Sequence, residues 1–191
     1  MGQPLVSVLL PVFNGGAHLE AALTSISSQD YRQLEIIVIN DGSTDDSLKH
    51  IERAAHRDGR IKIVSRANRG LVASLNEGLA LAQGDLIARM DADDIAYPTR
   101  IARQVEAFVL APGLGMCATG IDILEAGRLW RARDEPIFRE GDLRVLSQFF
   151  CVFIHATVMF DRRVLGDLLH YDASYQHAED FELFSRIFRK M

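Results

Sequence analysis

The chain has 191 residues, of which 48% are hydrophobic and 25% are charged, and its formal net charge is −5. This length and composition fit one globular domain with a sizeable core. The negative charge disfavours nucleic acid or an anionic membrane as the main partner, because those partners bind clustered Lys and Arg.

The first half of the chain alternates between predicted strands and predicted helices. Short apolar runs bounded by turn residues predict strands, and apolar residues at helical spacing predict helices. The predicted strands cover residues 5–10, ended by Pro11, then 35–40, 60–65 and the run from Leu86 to the acids at Asp91. The predicted helices cover residues 18–27, a segment through Leu48 and Ile51, and residues 70–82, which Gly84 closes. This alternation predicts an α/β fold, with a mostly parallel sheet, helices on both faces and right-handed crossovers.

Three of these strands end in polar residues. The endings are Pro11-Val12-Phe13-Asn14, Asn40-Asp41-Gly42-Ser43 and Asp91-Ala92-Asp93-Asp94. Open parallel sheets bind ligands at the carboxyl ends of their strands. Carboxylates crowded there favour a hard divalent cation that also holds a phosphate-bearing ligand.

Each of these endings also has a purely structural interpretation. The acids after Met90 can cap the following segment, where Asp stabilises a helix start. Asn14-Gly15 is an ordinary turn dipeptide, Asp41 can bond its own turn backbone, and Phe13 can belong to the core. The convergence of the three endings favours the binding site.

The second half of the chain is less regular. The position of Pro98 and the spacing of Ile101, Val105 and Phe108 predict a helix. We expect Arg100 on its solvated face, with a contact to phosphate as the alternative. Residues 114–123 suit a strand, and residues 125–140 suit an exposed charged excursion.

The apolar run 148–160 and the helix after His177 end the informative part of the chain. His155, within the run, is either a core residue with a satisfied ring nitrogen or a residue that faces a ligand. Phe181, Phe184, Ile187 and Phe188 mark the buried stripe of the helix. Glu179 and Asp180 precede that stripe, where acids favour the helix dipole.

The cysteines and the absence of targeting patterns predict the compartment. Cys117 and Cys151 are the only cysteines, and their apolar neighbours predict buried free thiols in a reducing environment. The sequence contains neither a signal-peptide pattern at its start nor an apolar run of membrane-spanning length. We therefore expect a cytoplasmic protein.

Taken together, these motifs resemble family 2 glycosyltransferases, which have the GT-A fold. The resemblance is carried by residues 6–14 (VSVLLPVFN), 36–45 (IIVINDGSTD), 68–70 (NRG) and 84–94 (GDLIARMDADD). Neither a G-x-G-x-x-G fingerprint nor a G-x-x-x-x-G-K-[ST] loop competes with it. The resemblance implies one GT-A domain over residues 1–191, with a Rossmann-like nucleotide-sugar-binding half at 1–95 and a smaller acceptor-side half at 96–191.

The same resemblance implies the ligands of the strand ends. Phe13 would stack on the nucleotide base, and Asp41 would accept a hydrogen bond from the uracil N–H, which favours a UDP-sugar. Asp91 would lie near the ribose, and Asp93 would hold a divalent cation, Mg²⁺ or Mn²⁺, that neutralises the leaving diphosphate. The remaining candidates for nucleotide binding are Pro11, Asn14 and Asn68.

On the acceptor side, the resemblance assigns Asp180 as the catalytic base of an inverting displacement. Glu179, His155 and Arg100 are weaker candidates for acceptor contacts or for support behind the site. The implied acceptor is a hydroxyl of a cell-surface polysaccharide or a lipid-linked glycan. The implied location is cytoplasmic, with peripheral contact at the inner face of the membrane.

The sequence leaves two alternatives to an active transferase. Family members commonly continue past the Glu-Asp helix into an Arg/Gln-x-x-Arg-Trp motif or membrane helices, whereas this chain ends at Met191 and its only tryptophan is Trp130. A truncated core that binds sugar nucleotide without turnover is therefore one alternative. A nucleotidyltransferase is disfavoured, because Asn14-Gly15-Gly16 has no Lys or Arg nearby.

Overall fold

The fold is organised around one six-stranded sheet. The computed structural model describes residues 2–125, 127–131 and 145–190. The strands in these ranges are β1 (Val6–Val12), β2 (Leu34–Asp41), β3 (Ile61–Arg66), β4 (Leu86–Arg89), β5 (Met116–Cys117), β6 (Asp122–Glu125), β7 (Arg128–Arg131) and β8 (Met159–Asp161). The order in the sheet is β3-β2-β1-β4-β8-β5, and β6 pairs with β7 in a separate antiparallel ribbon. The first four strands are parallel, as predicted, whereas β8 runs antiparallel to both of its neighbours.

Helices cover both faces of the sheet. They are α1 (Leu19–Ser27), α2 (Ser47–Arg57), α3 (Leu71–Leu81), α4 (Arg100–Leu110), α5 (Arg162–Leu165) and α6 (Glu179–Lys190), with short 3₁₀ turns at Gly16–His18, His155–Thr157 and Gly166–Leu168. The apolar residues of α1, α2 and α4 pack on one face. Those of α3, α5 and α6 pack on the other face. The expected two-sided α/β architecture is confirmed.

The central strands are buried because both of their faces carry apolar side chains. In β1, Val8 and Leu10 point to the core under α1, and Leu9 points to the core under α3. All eight residues of β2 are buried, which is typical of a parallel strand covered on both sides. The polar strand ends therefore project from a rigid platform.

Strand β1 does not stop at Pro11 but continues to Val12. Pro11 pairs with Ile39 on the β2 side, while β4 pairs with β1 only as far as Leu9. Leu9 O accepts a hydrogen bond from Met90 N, so the backbone groups of Leu9 face β4. Backbone groups two positions apart in a strand face the same side, so those of Pro11 also face β4. The missing N–H of Pro11 thus faces a side where β4 has ended, and the ladder loses nothing.

Gly84 does not close α3 as predicted. The helix ends at Leu81, with Ala82 as its C-cap, and Gly84 lies against the start of β1. A Cβ at Gly84 would stand 2.6 Å from Leu5 O and 2.7 Å from Ser7 Oγ. Glycine is required there because the backbone before β4 approaches β1 too closely for a side chain.

The same corner contains a buried carboxylate, Glu35. Its Oε2 accepts a hydrogen bond from Lys62 Nζ at 2.6 Å, and its Oε1 accepts from the Ser7 hydroxyl and from Gln83 N. Burial alone raises the pKa of Glu35, but the bonds from Lys62, Ser7 and Gln83 outweigh it and leave the pKa lowered. The charged form is therefore favoured in the folded protein.

We expect Glu35→Gln to lower the free energy of unfolding by about 1–3 kcal/mol at pH 7, because buried partners lose a charged acceptor. The lowered pKa means that this stabilisation is present above the unfolded-state pKa and is lost as the pH falls through the folded-state pKa. The gap between wild type and variant in urea unfolding should therefore close toward low pH. Glu52→Gln, on the exposed face of α2, is the control and should change little. A gap that widens on acidification would contradict this account.

The second half departs furthest from expectation. The predicted strand over residues 114–123 is reduced to the two residues of β5, and β6 starts at Asp122. The predicted excursion at 125–140 lies partly outside the described residues; its described portion includes β7, in the exposed ribbon. The apolar run 148–160 is mostly irregular and ends in β8. The start of this run is largely exposed, since Phe149 and Phe150 are 69% and 64% exposed, whereas Val158, Met159 and Phe160 at its end are buried.

Cys117 and Cys151 are free thiols, as predicted. The prediction that both are buried is wrong: Cys151 is exposed and Cys117 is half-buried. Apolar neighbours in sequence did not mean burial at residue 151, because that segment forms no regular strand. Within the described ranges, none of the helices has the length and hydrophobicity needed to cross a membrane.

Candidate active site

The carboxyl ends of β2, β1 and β4 lie side by side, since these strands are neighbours in the sheet. The loops after β1 and β2 are joined by hydrogen bonds. Asn14 Oδ1 accepts from Thr44 N at 2.8 Å, and Asn14 N donates to Ser43 Oγ at 3.0 Å. Asn14 has φ +53°, a conformation that Asn tolerates better than most residues. Its side chain therefore fixes the two loops to each other and has only its amide N–H groups left for a ligand.

Asp41, at the end of β2, is buried and holds the loop that follows β3. Its Oδ1 accepts from Arg69 N and its Oδ2 accepts from Gly70 N, both at 2.8 Å. Arg66 Nη1 also bonds Oδ1. The alternative that Asp41 bonds its own turn is not what the structure has; its partners are more than 20 residues away. One acceptor position, on Oδ2, remains for a further donor.

Glycines allow this loop contact. Gly42 has φ +76°, and a Cβ there would lie 2.6 Å from Asn68 N. Gly70 has φ +88°, in the region that glycine adopts without strain. Asn68 itself is exposed at the rim.

Phe13 is 56% exposed, which excludes the core interpretation. It follows β1 directly, and Pro11 beside it is half-buried. An exposed aromatic ring at the end of a central strand offers a stacking face to a planar ligand.

The acids after β4 form a tight turn. Asp94 N donates to Asp91 O at 3.4 Å. The Asp91 side chain is partly exposed, and Asp93 and Asp94 are exposed. Partial desolvation, together with the charges of Asp91 and Asp93, raises the pKa of Asp94. The turn thus concentrates negative charge at the rim, as predicted.

Two arginines behind the turn offset part of this charge. Arg89, the last residue of β4, is buried, and its Nη1 lies 2.5 Å from Asp91 Oδ2. Arg100 Nη2 donates to Arg89 O at 2.7 Å, and burial lowers the pKa of Arg100 to about 10. The expectation that Arg100 lies on a solvated face is wrong, because the carbonyl that ends β4 needs a donor and Arg100 supplies it. Arg89 is not among the residues predicted from the sequence, although a charged residue inside an apolar run was the available signal.

The turn after β4 has the donors that a hard cation requires. Asp93 is exposed and makes no hydrogen bond or ion pair with the rest of the described chain. No group of three His, Cys, Asp or Glu side chains suited to a metal is assembled among residues 2–125, 127–131 and 145–190. Mg²⁺ takes one or two carboxylates and completes its shell with phosphate and water, and the exposed Asp93 carboxylate is one oxygen donor of the kind it takes.

Strand β8 places a second set of residues at the same end of the sheet. Because β8 is antiparallel to β4, its amino end, with the 3₁₀ turn His155–Thr157, lies beside the carboxyl end of β4. His155 Nε2 lies 2.8 Å from Tyr171 Oη, and the His155 ring packs edge-on against Phe184 of α6. Burial, with a smaller effect of Arg89, lowers the pKa of His155 to about 3, so the imidazole is neutral. This contact agrees with the interpretation of His155 as a residue whose ring nitrogen is satisfied inside the protein, while a contact of His155 with a ligand stays a prediction.

Asp180 lies in the first turn of α6 and is half-buried. Its Oδ1 accepts from Phe181 N at 2.7 Å, and its Oδ2 accepts from Cys151 Sγ at 3.3 Å. Partial desolvation of the sulfur, and then the Asp180 charge, raise the pKa of the Cys151 thiol to about 12, which keeps it a neutral donor. Glu179 is buried beside Asp180, and both charges act on Tyr171. Tyr171 gave no signal in the sequence.

The chain matches one protein family and is similar in sequence to several known proteins. The profile described as glycosyl transferase family 2 matches residues 7–169. An uncharacterized glycosyltransferase of Haemophilus influenzae is 33% identical over 97% of this chain, which spans 61% of that protein. The O-antigen biosynthesis glycosyltransferase WbnJ of Escherichia coli is 28% identical over 96% of this chain and 71% of its own length.

Solved structures show the same fold. A mannosyltransferase from Pyrobaculum calidifontis, in complex with GDP-Man and Mn²⁺, matches 95% of this chain and 51% of its own with a TM-score of 0.73 and 23% identity. TarS 1–349 of S. aureus, in complex with UDP-GlcNAc, matches 96% of this chain and 53% of its own with a TM-score of 0.75 and 20% identity. The chain spans about half the length of these structures, and its fold is that of the GT-A glycosyltransferases.

Proposed function

Because this chain belongs to glycosyl transferase family 2, we propose that it transfers a sugar from a nucleotide-sugar donor to an acceptor hydroxyl. One observation carries the proposal: His155, which follows the acidic turn across the β4–β8 pair, bonds Tyr171, and the charges of Arg89 and Asp180 both act on Tyr171. A displacement needs a leaving-group side and a base side close together. This arrangement supplies both.

The nucleotide side of the proposal rests on the loops after β1, β2 and β3. Phe13 would stack on the base, since its ring is exposed at the rim. Asp41 would use its remaining acceptor position for an N–H of the base, which favours UDP. Asp91 would bind the ribose, and the further nucleotide contacts fall to Pro11, Asn14 and Asn68.

Asp93 would hold the divalent cation, Mg²⁺ or Mn²⁺, through its exposed carboxylate, which makes no hydrogen bond or ion pair within the described residues. A bound cation would neutralise charge on the diphosphate. The Mn²⁺ complex of the Pyrobaculum enzyme, a protein with the same fold, supports this assignment. Arg89 and Arg100 offset part of the negative charge of the turn and leave Asp93 at its exposed edge.

The chemistry on the acceptor side falls to Asp180. The acceptor oxygen forms a bond to the anomeric carbon, the bond from that carbon to the diphosphate oxygen breaks, and Asp180 takes the hydroxyl proton. A single displacement of this kind inverts the anomeric configuration. Burial lowers the pKa of His155 to about 3, so its imidazole is a weak base and competes little with Asp180 for the proton; His155 and Glu179 would line the acceptor side.

The acceptor class is part of the same proposal. A hydroxyl of a cell-surface polysaccharide or lipid-linked glycan is supported by the similarity to WbnJ, whose name refers to O-antigen biosynthesis. The relatives differ in donor, because the solved neighbours contain GDP-Man in one case and UDP-GlcNAc in the other. The identity of the base is therefore the first property to measure.

We expect UDP-sugars with Mn²⁺ to raise the melting temperature by about 5–10 °C at roughly 100 times Kd, because a ligand that binds only the folded state stabilises it by mass action. A thermal-shift series of UDP-, GDP- and TDP-sugars, with and without Mn²⁺, measures this. ADP-glucose is the control, since the ring of adenine presents no N–H to Asp41. A failure of every sugar nucleotide to shift the transition would contradict the proposal, and a shift without transfer to any glycan would favour the binding-module alternative.

A further inference from the structure

Arg89 is an unusual residue for the end of a central strand. It follows Leu86, Ile87 and Ala88 in the buried β4, and only 4% of its own surface is exposed. Its backbone is held on both sides, since Arg89 N donates to Val158 O at 3.0 Å and Arg89 O accepts from Arg100 Nη2 at 2.7 Å. The backbone position from which the Arg89 side chain extends is therefore fixed.

The guanidinium of Arg89 is poorly satisfied. Its Nη1 forms an ion pair with Asp91 Oδ2 at 2.5 Å, outside hydrogen-bond alignment, and neither Nε nor Nη1 has a hydrogen-bond partner in the described chain. Most buried polar atoms in native proteins are bonded. Arg100 adds a second buried cation nearby, and the two charges repel each other.

These contacts indicate that Arg89 lowers stability. A buried cation that lacks hydrogen bonds is costly, and replacing buried ionic groups by apolar ones of similar volume is often neutral or stabilising. Asp91 would not be left in a dry environment by such a change, because its side chain is 40% exposed and can be hydrated. The reason for retaining arginine therefore lies in what it does to Asp91.

We propose that Arg89 is a positioning residue of the donor site, which holds the Asp91 carboxylate in the orientation that binds the ribose hydroxyls of the nucleotide. This inference rests on the proposed function, in which Asp91 contacts ribose. Arg89 acts from beneath the turn, since its own Nε and Nη1 atoms are buried and do not reach the ligand. The turn is otherwise closed only by the long bond from Asp94 N to Asp91 O, so without Arg89 the carboxylate has no side-chain partner in the described chain.

The test compares Arg89→Met with Arg89→Lys and a control. We expect Arg89→Met to melt at or above the wild-type temperature, and to bind UDP in the presence of Mn²⁺ about tenfold more weakly by calorimetry, because a charge-assisted contact is lost. In transfer assays KM for the donor should rise with little change in kcat. Arg89→Lys, which keeps the charge, should recover part of the affinity. Arg60→Met is the matched control: Arg60 donates through Nε and Nη2 to Asp58 and Ser27 at the opposite end of the sheet, so this change should lower the melting temperature and leave UDP binding intact.

Ribose analogues separate this role from a purely structural one. Wild type should bind UDP more tightly than at least one of 2′-deoxy-UDP and 3′-deoxy-UDP, and Arg89→Met should lose that preference. The double variant Arg89→Met/Asp91→Asn should bind UDP no more weakly than Asp91→Asn alone, because the two residues act as a unit. Wild type that binds none of UDP, GDP and TDP with Mn²⁺ would overturn the proposed function, and wild type that binds one of them other than UDP is compared with Arg89→Met on that nucleotide instead. If wild type binds UDP, any of three results for Arg89→Met would overturn the role of Arg89 alone. The variant would bind UDP as tightly as wild type, keep the hydroxyl preference, or melt several degrees lower.

Discussion

Replacing Asp180 by Asn is expected to reduce sugar transfer about a thousandfold, within the range that general bases contribute, and to leave donor binding unchanged. The change removes the proton acceptor but keeps the shape of the side chain. The remaining carbonyl oxygen can still accept the hydrogen bond from Phe181 N that now goes to Oδ1, so the start of α6 is preserved. Transfer measured at saturating donor, beside the thermal shift produced by UDP, reports the two effects separately.

The matched control for this change is Asp167→Asn, which removes the same charge from the exposed 3₁₀ turn Gly166–Leu168. It should transfer sugar at the wild-type rate. A variant at Asp180 that retains more than about a tenth of the activity would show that another group takes the proton. Parallel loss of UDP binding would instead mean that Asp180 belongs to the donor site.

Replacing Asp93 by Ala is expected to abolish the dependence of UDP affinity on Mn²⁺ and to slow transfer about a hundredfold or more, as the loss of charge stabilisation at a leaving group does. The change removes the carboxylate that would bind the cation. Asp93 is exposed and makes no hydrogen bond or ion pair in the described ranges that would stabilise the fold. Its removal should therefore leave the melting temperature of the unliganded protein nearly unchanged. Calorimetric titration of UDP with Mn²⁺ and with a chelator measures the effect.

Asp30→Asn is a suitable control for Asp93, because Asp30 is another exposed carboxylate, in the loop between α1 and β2. It should retain the full response to Mn²⁺. An Asp93→Ala variant that still binds UDP more tightly with Mn²⁺ would show that Asp91 or Asp94 holds the ion. A loss of metal dependence in both variants would point to a general charge effect.

The alternation of strands and helices could be predicted because it depends on the local spacing of apolar residues along the sequence. Apolar runs such as the one in β2 are buried on both faces, and helices such as α4 show one apolar stripe. The polar ends of β1, β2 and β4 could be placed together for the same reason, since parallel strands share one direction. These inferences need no contact between distant residues.

The contacts that shape the site could not be predicted, because each joins residues without a shared pattern. Asp41 bonds Arg69 and Gly70 across a loop whose path depends on positive φ at the glycine. Tyr171 meets His155 only because β8 leads the chain away from the rim and the segment after α5 brings it back. Periodicity carries no information on either event, and the same holds for the burial of Arg100.

The insertion of β8 between β4 and β5 has a consequence for how the protein is made. Until residues 159–161 emerge from the ribosome, β4 has only one neighbour, and the backbone of Leu86, Ile87 and Ala88 on its other side is an open edge. Open apolar edges invite pairing with other nascent chains. Residues 1–95, the expected nucleotide-binding half, therefore keep one unpaired strand edge until β8 has been translated and has paired with β4.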